Sequence, residues 1–406
     1  LRTLREALED NGNKVRADLL QTSVASDAMI SLNAALATDG VVIDVAEGVT
    51  LTRSLHIVHV ATDSGSSLVT RSLLKLAKGA QATLVETFVA AEGAKSYQTH
   101  DSVVIWIGDE AELQHVRLME DALDAAHVAT GIFTIGAKAK LNTFNLTHGG
   151  SVSRYQGFIR FAGEGSELTT NGVNLLGARR HGDTTLVVDH AVPHCSSREV
   201  FRAVLDDRAH SVFQGRIIVQ PDAQKTDGKM MTRALLLSDE AEADSKPELE
   251  IFADDVTCGH GATAGALDES LLFYLRARGL PEKEAQALLI AAFVGEAIES
   301  IENDSLRDFA SAAAGTLPGA AANGASERLP VTVPATAGAT SVRSERVAAG
   351  SVAGGAGFAA AALETRSATL SDFASRSRSS TPIDAGLACC RASACRSDMA
   401  PAVLAG

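Results

Sequence analysis

Gly136-Ala137-Lys138-Ala139-Lys140-Leu141 is one of four copies of a pattern, G-x-x-[AS]-x-L, that decides the fold of this chain. The other copies run from Gly79 through Ala82 to Leu84, from Gly108 through Ala111 to Leu113, and from Gly163 through Ser166 to Leu168. Successive glycines are 29, 28 and 27 residues apart. A fixed period between about 20 and 50 residues means stacked units, each burying its apolar face against the next. From Val41 to about Val256 the chain consists of short β-branched stretches punctuated by Gly or Asp, which read as strands. The pattern predicts a mainly β protein with a right-handed parallel β-helix, a solenoid in which the small residue fits a tight corner and the leucine fills a recurring core position. The hexapeptide period of left-handed β-helices is absent, and the rival architecture is a large β-sandwich.

Outward from this core the period changes on both sides. Residues 1–40 read as a partial N-terminal helical region. Its helix Ala28–Leu36 has apolar residues on one face and is ended by Asp39-Gly40. The solenoid is expected over 41–262 and a C-terminal helical segment over 263–310. There Leu267–Arg278 is followed by Gly279 at the helix end and by Pro281 opening the next helix. That second helix carries Ala285, Leu288, Leu289, Ala292, Phe293 and Ala297 as an apolar stripe, fit to dock on the chain's own β-domain or on a partner. From about Asp304 the character is lost. Residues 311–406 are rich in Ala, Gly, Ser, Thr and Pro and lack Lys and His, which predicts a disordered tail. It is read as a non-native extension or an alternative frame, and Cys389, Cys390 and Cys395 within it as no metal knuckle. The chain opens on Leu1 and not Met, and is read as a fragment or processed product.

Composition excludes several classes. A net charge of -14 argues against a nucleic-acid or anionic-membrane surface, both of which ask for Lys/Arg clusters. No apolar run approaches the roughly 18 residues of a membrane span. Two cysteines before the tail, Cys195 and Cys258, are too few for a disulfide framework, and the expected location is a reducing cytoplasm. No G-x-x-x-x-G-K-[ST] loop occurs, Lys225–Lys229 included, so no nucleotide is expected on this chain. No G-x-S-x-G elbow is present, and the acidic residues look dispersed over solvated turns.

The candidate site is Cys258-Gly259-His260. In a strand, residues i and i+2 leave the same face, so the thiol and imidazole point together. These donors suit iron, zinc and iron–sulfur clusters, yet a tetrahedral ion wants four ligands. The remainder must come from a substrate, a distant residue or another protein. The alternative is a partly buried thiol beside a hydrogen-bonded imidazole, with Gly259 marking close backbone packing. His190, His194 and Cys195 form a second group, but Pro193 interrupts the strand and adjacent residues face opposite ways, which favours a structural turn.

Longer blocks carry a family resemblance. Phe213–Val219, Ala223–Asp227, Leu235–Asp239, Pro247–Ile251, Asp255–Thr263 and Leu272–Gly279 resemble, in order, blocks of the SufB/SufD family. Coverage runs from about Leu32 to about Ile301. Cys258-x-His260-Gly261-Ala262-Thr263 followed by Phe273-Tyr274-Leu275-x-x-Arg278-Gly279 resembles the SufD branch more than the SufB branch. The resemblance implies a β-helix flanked by helices and a part in iron–sulfur cluster assembly. It also implies a SufB-like partner joined through the β-helix and a SufC-like ATPase bound at the C-terminal helices. His260, with Cys258, then becomes a candidate ligand of a transient iron or nascent cluster completed by the partner. The family's C-terminal helices continue past Ile301, where this chain is expected to lose structure.

The leading expectation is a non-enzymatic scaffold subunit. Its rivals are a polysaccharide-active β-helix enzyme, for which 4% aromatic residues are few, and a purely structural partner of SufB in which Cys258 and His260 only pack.

Overall fold

The computed structural model describes residues 1–20, 27–315 and 388–390. Two nine-stranded sheets face each other. One is ordered β1 (Arg2–Thr3), β2 (Val41–Val45), β4 (Ser67–Leu76), β6 (Gln98–Ile107), β8 (Ala126–Ile135), β10 (Val152–Phe161), β12 (His181–His190), β14 (His210–Val219), β16 (Glu242–Ile251). The other is ordered β18 (Ala388–Cys390), β3 (Leu55–Ala61), β5 (Gln81–Ala90), β7 (Glu112–Glu120), β9 (Lys140–Thr147), β11 (Glu167–Leu176), β13 (Ser196–Leu205), β15 (Asp227–Leu236), β17 (Thr257–Gly265). From β2 to β17 the chain alternates between the sheets and pairs in parallel with the coil before it. This is the expected parallel β-solenoid.

The corners explain the repeat. Gly79, Glu110, Lys138, Gly165, His194 and Lys225 all have positive φ, between 54° and 71°. The residue after each, in turn Ala80, Ala111, Ala139, Ser166, Cys195 and Thr226, is at most 1% exposed. These residues stack in one column, as the pairs Glu112↔Lys140, Glu167↔Ser196 and Ser196↔Asp227 require. Three of the four expected copies share this phase, and the first is corrected. Ala82, not Leu84, lies beside Leu113, so the corner of that coil is Ala77–Ala80. Two different demands for glycine produce the slip. Gly79 serves the left-handed turn, whereas a Cβ on Gly163 would stand 2.0 Å from the Ala137 nitrogen of the coil beneath.

Both faces of most strands are buried, which is why they read as near-continuous apolar runs. Inside, Leu84, Ile105, Phe133, Leu141, Phe161 and their neighbours fill the space between the sheets. Outside the first sheet, α1 (Leu4–Leu19) and α2 (Ala28–Leu36) cover Leu73, Val104 and Ile132. A Thr3/Glu6 capping box starts α1, and the helix kinks at Asn11. Outside the second sheet, α4 (Glu282–Ile298) and α5 (Asp304–Gly315) cover Leu118, Leu146 and Val173. The docked face of α4 is Ala285, Ile290, Val294, Ala297 and Ile298. Leu288, expected in that stripe, is exposed instead. The expected loss of structure from Asp304 is also corrected. Leu306 and Ala310, one turn apart, bury themselves beside Ile298 and Ile301 and carry a helix to Gly315. Residues 316–387 and 391–406, with Cys395, lie outside the described residues, as does the reading of them as a disordered, non-native tail.

The expectation that acidic residues occupy solvated turns fails inside the solenoid. Arg117 bridges Glu86 at 2.7 Å and Asp101 at 2.8 Å. His127 bridges Asp101 and Asp121, both at 2.6 Å, and His115 meets Glu86 at 2.7 Å. Burial alone would raise the carboxyl of Glu86, but Arg117 and His115 outweigh it and hold it well below the usual range. Despite its own burial, His127 is raised to about 9 by its two aspartates. The network ties β5 and β7 to β6 and β8 across the interior. Replacing Arg117 with Ala strands Glu86 and Asp101 without their cation and costs about 3–5 kcal/mol, read as a lower urea midpoint with an unchanged slope.

Candidate functional site at the last coil

Cys258 and His260 lie on β17, the edge of its sheet, and β16 is the edge of the other. In register, Gly228 is beside Cys258 and Met230 beside His260. Met230 belongs to the interior cluster and Cys258 packs against it. By strand alternation both candidate residues therefore face inward, on a coil with no described coil beyond it. Cys258 is half-buried and His260 exposed. Cys258 is a free thiol hydrogen-bonded by the Gly228 backbone, and among the described residues the His260 side chain has no hydrogen bond or ion pair. Burial raises the Cys258 thiol, helped by the nearby charges of Asp227 and Glu199. The suspicion that Gly259 marks close packing is corrected. A Cβ there would meet nothing within 4 Å, whereas one on Gly261 would press on Met231. Gly259 leaves the segment between thiol and imidazole open.

The second candidate group does not converge. His190 is fully buried, stacked on Phe161 at 4.4 Å and bonded to the Ser197 hydroxyl at 3.0 Å. Burial holds it neutral, with its pKa lowered to about 4. His194 is the exposed positive-φ corner residue, and Cys195 fills the small-residue column with its Sγ 3.5 Å from the Gly163 carbonyl oxygen. The structural-turn reading holds. Lys225 is likewise a corner residue, paired with Asp255.

Sequence reading missed Glu199. Its ladder runs Thr170, Glu199, Met230, His260, so it stands two coils beneath the imidazole on the same inward face. It is fully buried, and neither carboxyl oxygen has a hydrogen-bond partner. The only available signal was a charge at an inward position of an alternating strand. Burial raises its pKa to about 8, against the weaker opposing pull of Ser197 and Arg198.

Comparison with known proteins fixes the family. Residues 59–293 match the model for the SUF system FeS cluster assembly, SufBD core domain. The chain belongs to the SufBD family. It is 32% identical to the Escherichia coli iron-sulfur cluster assembly protein SufD, over 78% of this chain and 77% of that protein. An iron-sulfur cluster assembly SufBD family protein of Synechocystis is 29% identical over 71% of this chain and 65% of its own length. SufD of Bacillus subtilis is 25% identical over 69% and 64%. The match spans the solenoid from β3 into α4, Cys258 and His260 included. Among the described residues no helix is long and apolar enough to cross a membrane.

Glu199 generates a pH prediction. Its folded pKa of about 8 lies above the ordinary value of 4.5, so the folded state holds the proton that the unfolded state releases. The group therefore lowers stability by about 1.4 kcal/mol per pH unit as pH rises from about 4.5 to about 8. Glu199→Gln should remove that slope and be more stable than the wild type at pH 8. Urea melts at half-unit steps across this window test it, and an unchanged slope contradicts it.

Proposed function

We propose that this SufBD-family chain is a non-enzymatic scaffold subunit for iron–sulfur cluster assembly. Cys258 and His260 supply part of the ligand set for a transient iron ion or nascent cluster, and a SufB-type subunit supplies the rest. The observation that carries this reading is a free thiol and an imidazole facing inward together on a terminal coil. The edge strands β16 and β17 leave a row of backbone donors and acceptors for a partner to pair with. A raised thiol pKa disfavours metal-free thiolate, so a cation must drive the proton off before Cys258 can ligate. His260→Ala in the complex with a SufB-type partner, reconstituted anaerobically with iron and sulfide, should cut cluster yield at least tenfold. Undiminished yield removes the ligand role.

The second contact is an ATPase of the SufC type at the helical end, to which nucleotide hydrolysis belongs. The support is α3 (Glu269–Arg276), which buries no residue. Its Leu271, Phe273 and Tyr274 are more than half exposed, and Leu288 of α4 is exposed as well. Together they form an apolar surface next to the docked face of α4. Phe273→Asp should weaken capture of a SufC-type subunit at least tenfold while the melting temperature stays within about 2 °C. Equal capture places the ATPase elsewhere.

A further inference from the structure

On the outer face of the first sheet, at its last strands, lies a group of side chains that the cluster-assembly reading does not use. Parallel register puts His181 of β12, His210 of β14 and Glu242 of β16 in one row across three adjacent strands. Asp244, two residues beyond Glu242, leaves the same face. These four point away from the interior, since Ser211, next to His210, is the inward residue and accepts a hydrogen bond from Asn174. The donor atoms of His210, Glu242 and Asp244 all lie within 4.8 Å of one another. His210 Nε2 is 2.8 Å from a carboxylate oxygen of Asp244. The His181 ring packs edge-on against that of His210, 4.9 Å away, on the side opposite β16. Glu242 has no ion-pair partner among the described residues.

We propose that His210, Glu242 and Asp244 bind a divalent first-row transition-metal ion. Two donors on one such ion at about 2.1 Å are at most about 4.2 Å apart, so small rotations of side chains already grouped within 4.8 Å suffice. Imidazole with carboxylate is a donor set for Zn2+ or Fe2+, unlike the all-oxygen sets of Ca2+ and Mg2+. The hydrogen-bonded sheet fixes the backbone of three ligands in advance, which lowers the ordering cost of binding. A bound ion takes the place of the proton now shared between His210 Nε2 and the Asp244 carboxylate. Two carboxylates brought together on one face are favourably bridged by a dication. This site is separate from Cys258 and His260, which belong to the other sheet and face inward.

The test uses the full chain carrying Cys258→Ser and His260→Ala, which removes the other candidate donors. Co2+ should bind at one ion per chain with visible d–d absorption and no thiolate-to-cobalt charge-transfer band. Zn2+ should displace it, and an anaerobic Fe2+ titration then ranks the two natural ions. His210→Ala and Glu242→Gln, both on the solvent face, should each weaken binding at least tenfold with unchanged circular dichroism. No Co2+ bound by the parent, or affinity unchanged in both variants, overturns the proposal. Either result leaves the His260 reconstitution result standing, and loss of the His260 role leaves this one.

Discussion

Six successive coils are held in phase with one another by one constraint at the corner. A residue with positive φ turns the chain, and the residue after it must be small enough to vanish between the coils above and below. Ala80, Ala111, Ala139, Ser166, Cys195 and Thr226 meet that demand in succession. Once this column is fixed, the period-2 geometry of the strand fixes every other side chain. A slip of one residue would bring Arg117 out of the interior and put Val116 in its place. The charge network, the helix-covered apolar faces and the pairing of Cys258 with His260 all inherit their positions from it. Cys195 is explained by the same constraint, as a small apolar filler whose thiol meets two backbone carbonyls.

The interior departs from the apolar filling of an ordinary solenoid. Glu86, Asp101, Arg117 and His127 lie fully enclosed, and each is satisfied by the next. Enclosing such ions gains little net stability over apolar side chains, but losing one partner is costly. The arrangement therefore fixes register more than it adds stability. Further along the same interior, Glu199 has no such partner and stays protonated near neutral pH. One end of the solenoid thus holds a compensated network, and the other holds an uncompensated acid beneath an open thiol and imidazole.

The period of the repeat, the small corner residue and the inward pairing of Cys258 with His260 were legible in the sequence, because each follows from spacing and strand alternation alone. The phase of the first coil was not, since Gly79 and Gly108 satisfy different demands with the same residue. The helix Asp304–Gly315 was hidden because its burial rests on few apolar side chains, Leu306 and Ala310, against a surface built by strands far away in the chain. The buried charges were hidden for a related reason. Glu86 and Arg117 are neighbours across one rung of a ladder, whereas Asp101 stands beside Ala129 and His127 beside Thr99, diagonal to each other on the facing ladder. Only the three-dimensional closure of the two sheets brings the rungs together. The row His181, His210, Glu242 was likewise spread over three coils.

The last coil differs from the others in what its ladder leaves undone. In the middle of the solenoid each strand is paired on both sides, and inward polar groups must find partners within the chain. At β17 the strand is paired on one side only, and Cys258 and His260 face inward with no described coil beyond them. A thiol half-withdrawn from water stays protonated without a cation, so the pair is inert by itself. In the scaffold role proposed above, a partner would close the open edge and an ion would accept the donors. The open edge that leaves this end incomplete is what that role would use, because a site already closed by its own coil would have no position left for a second subunit to fill.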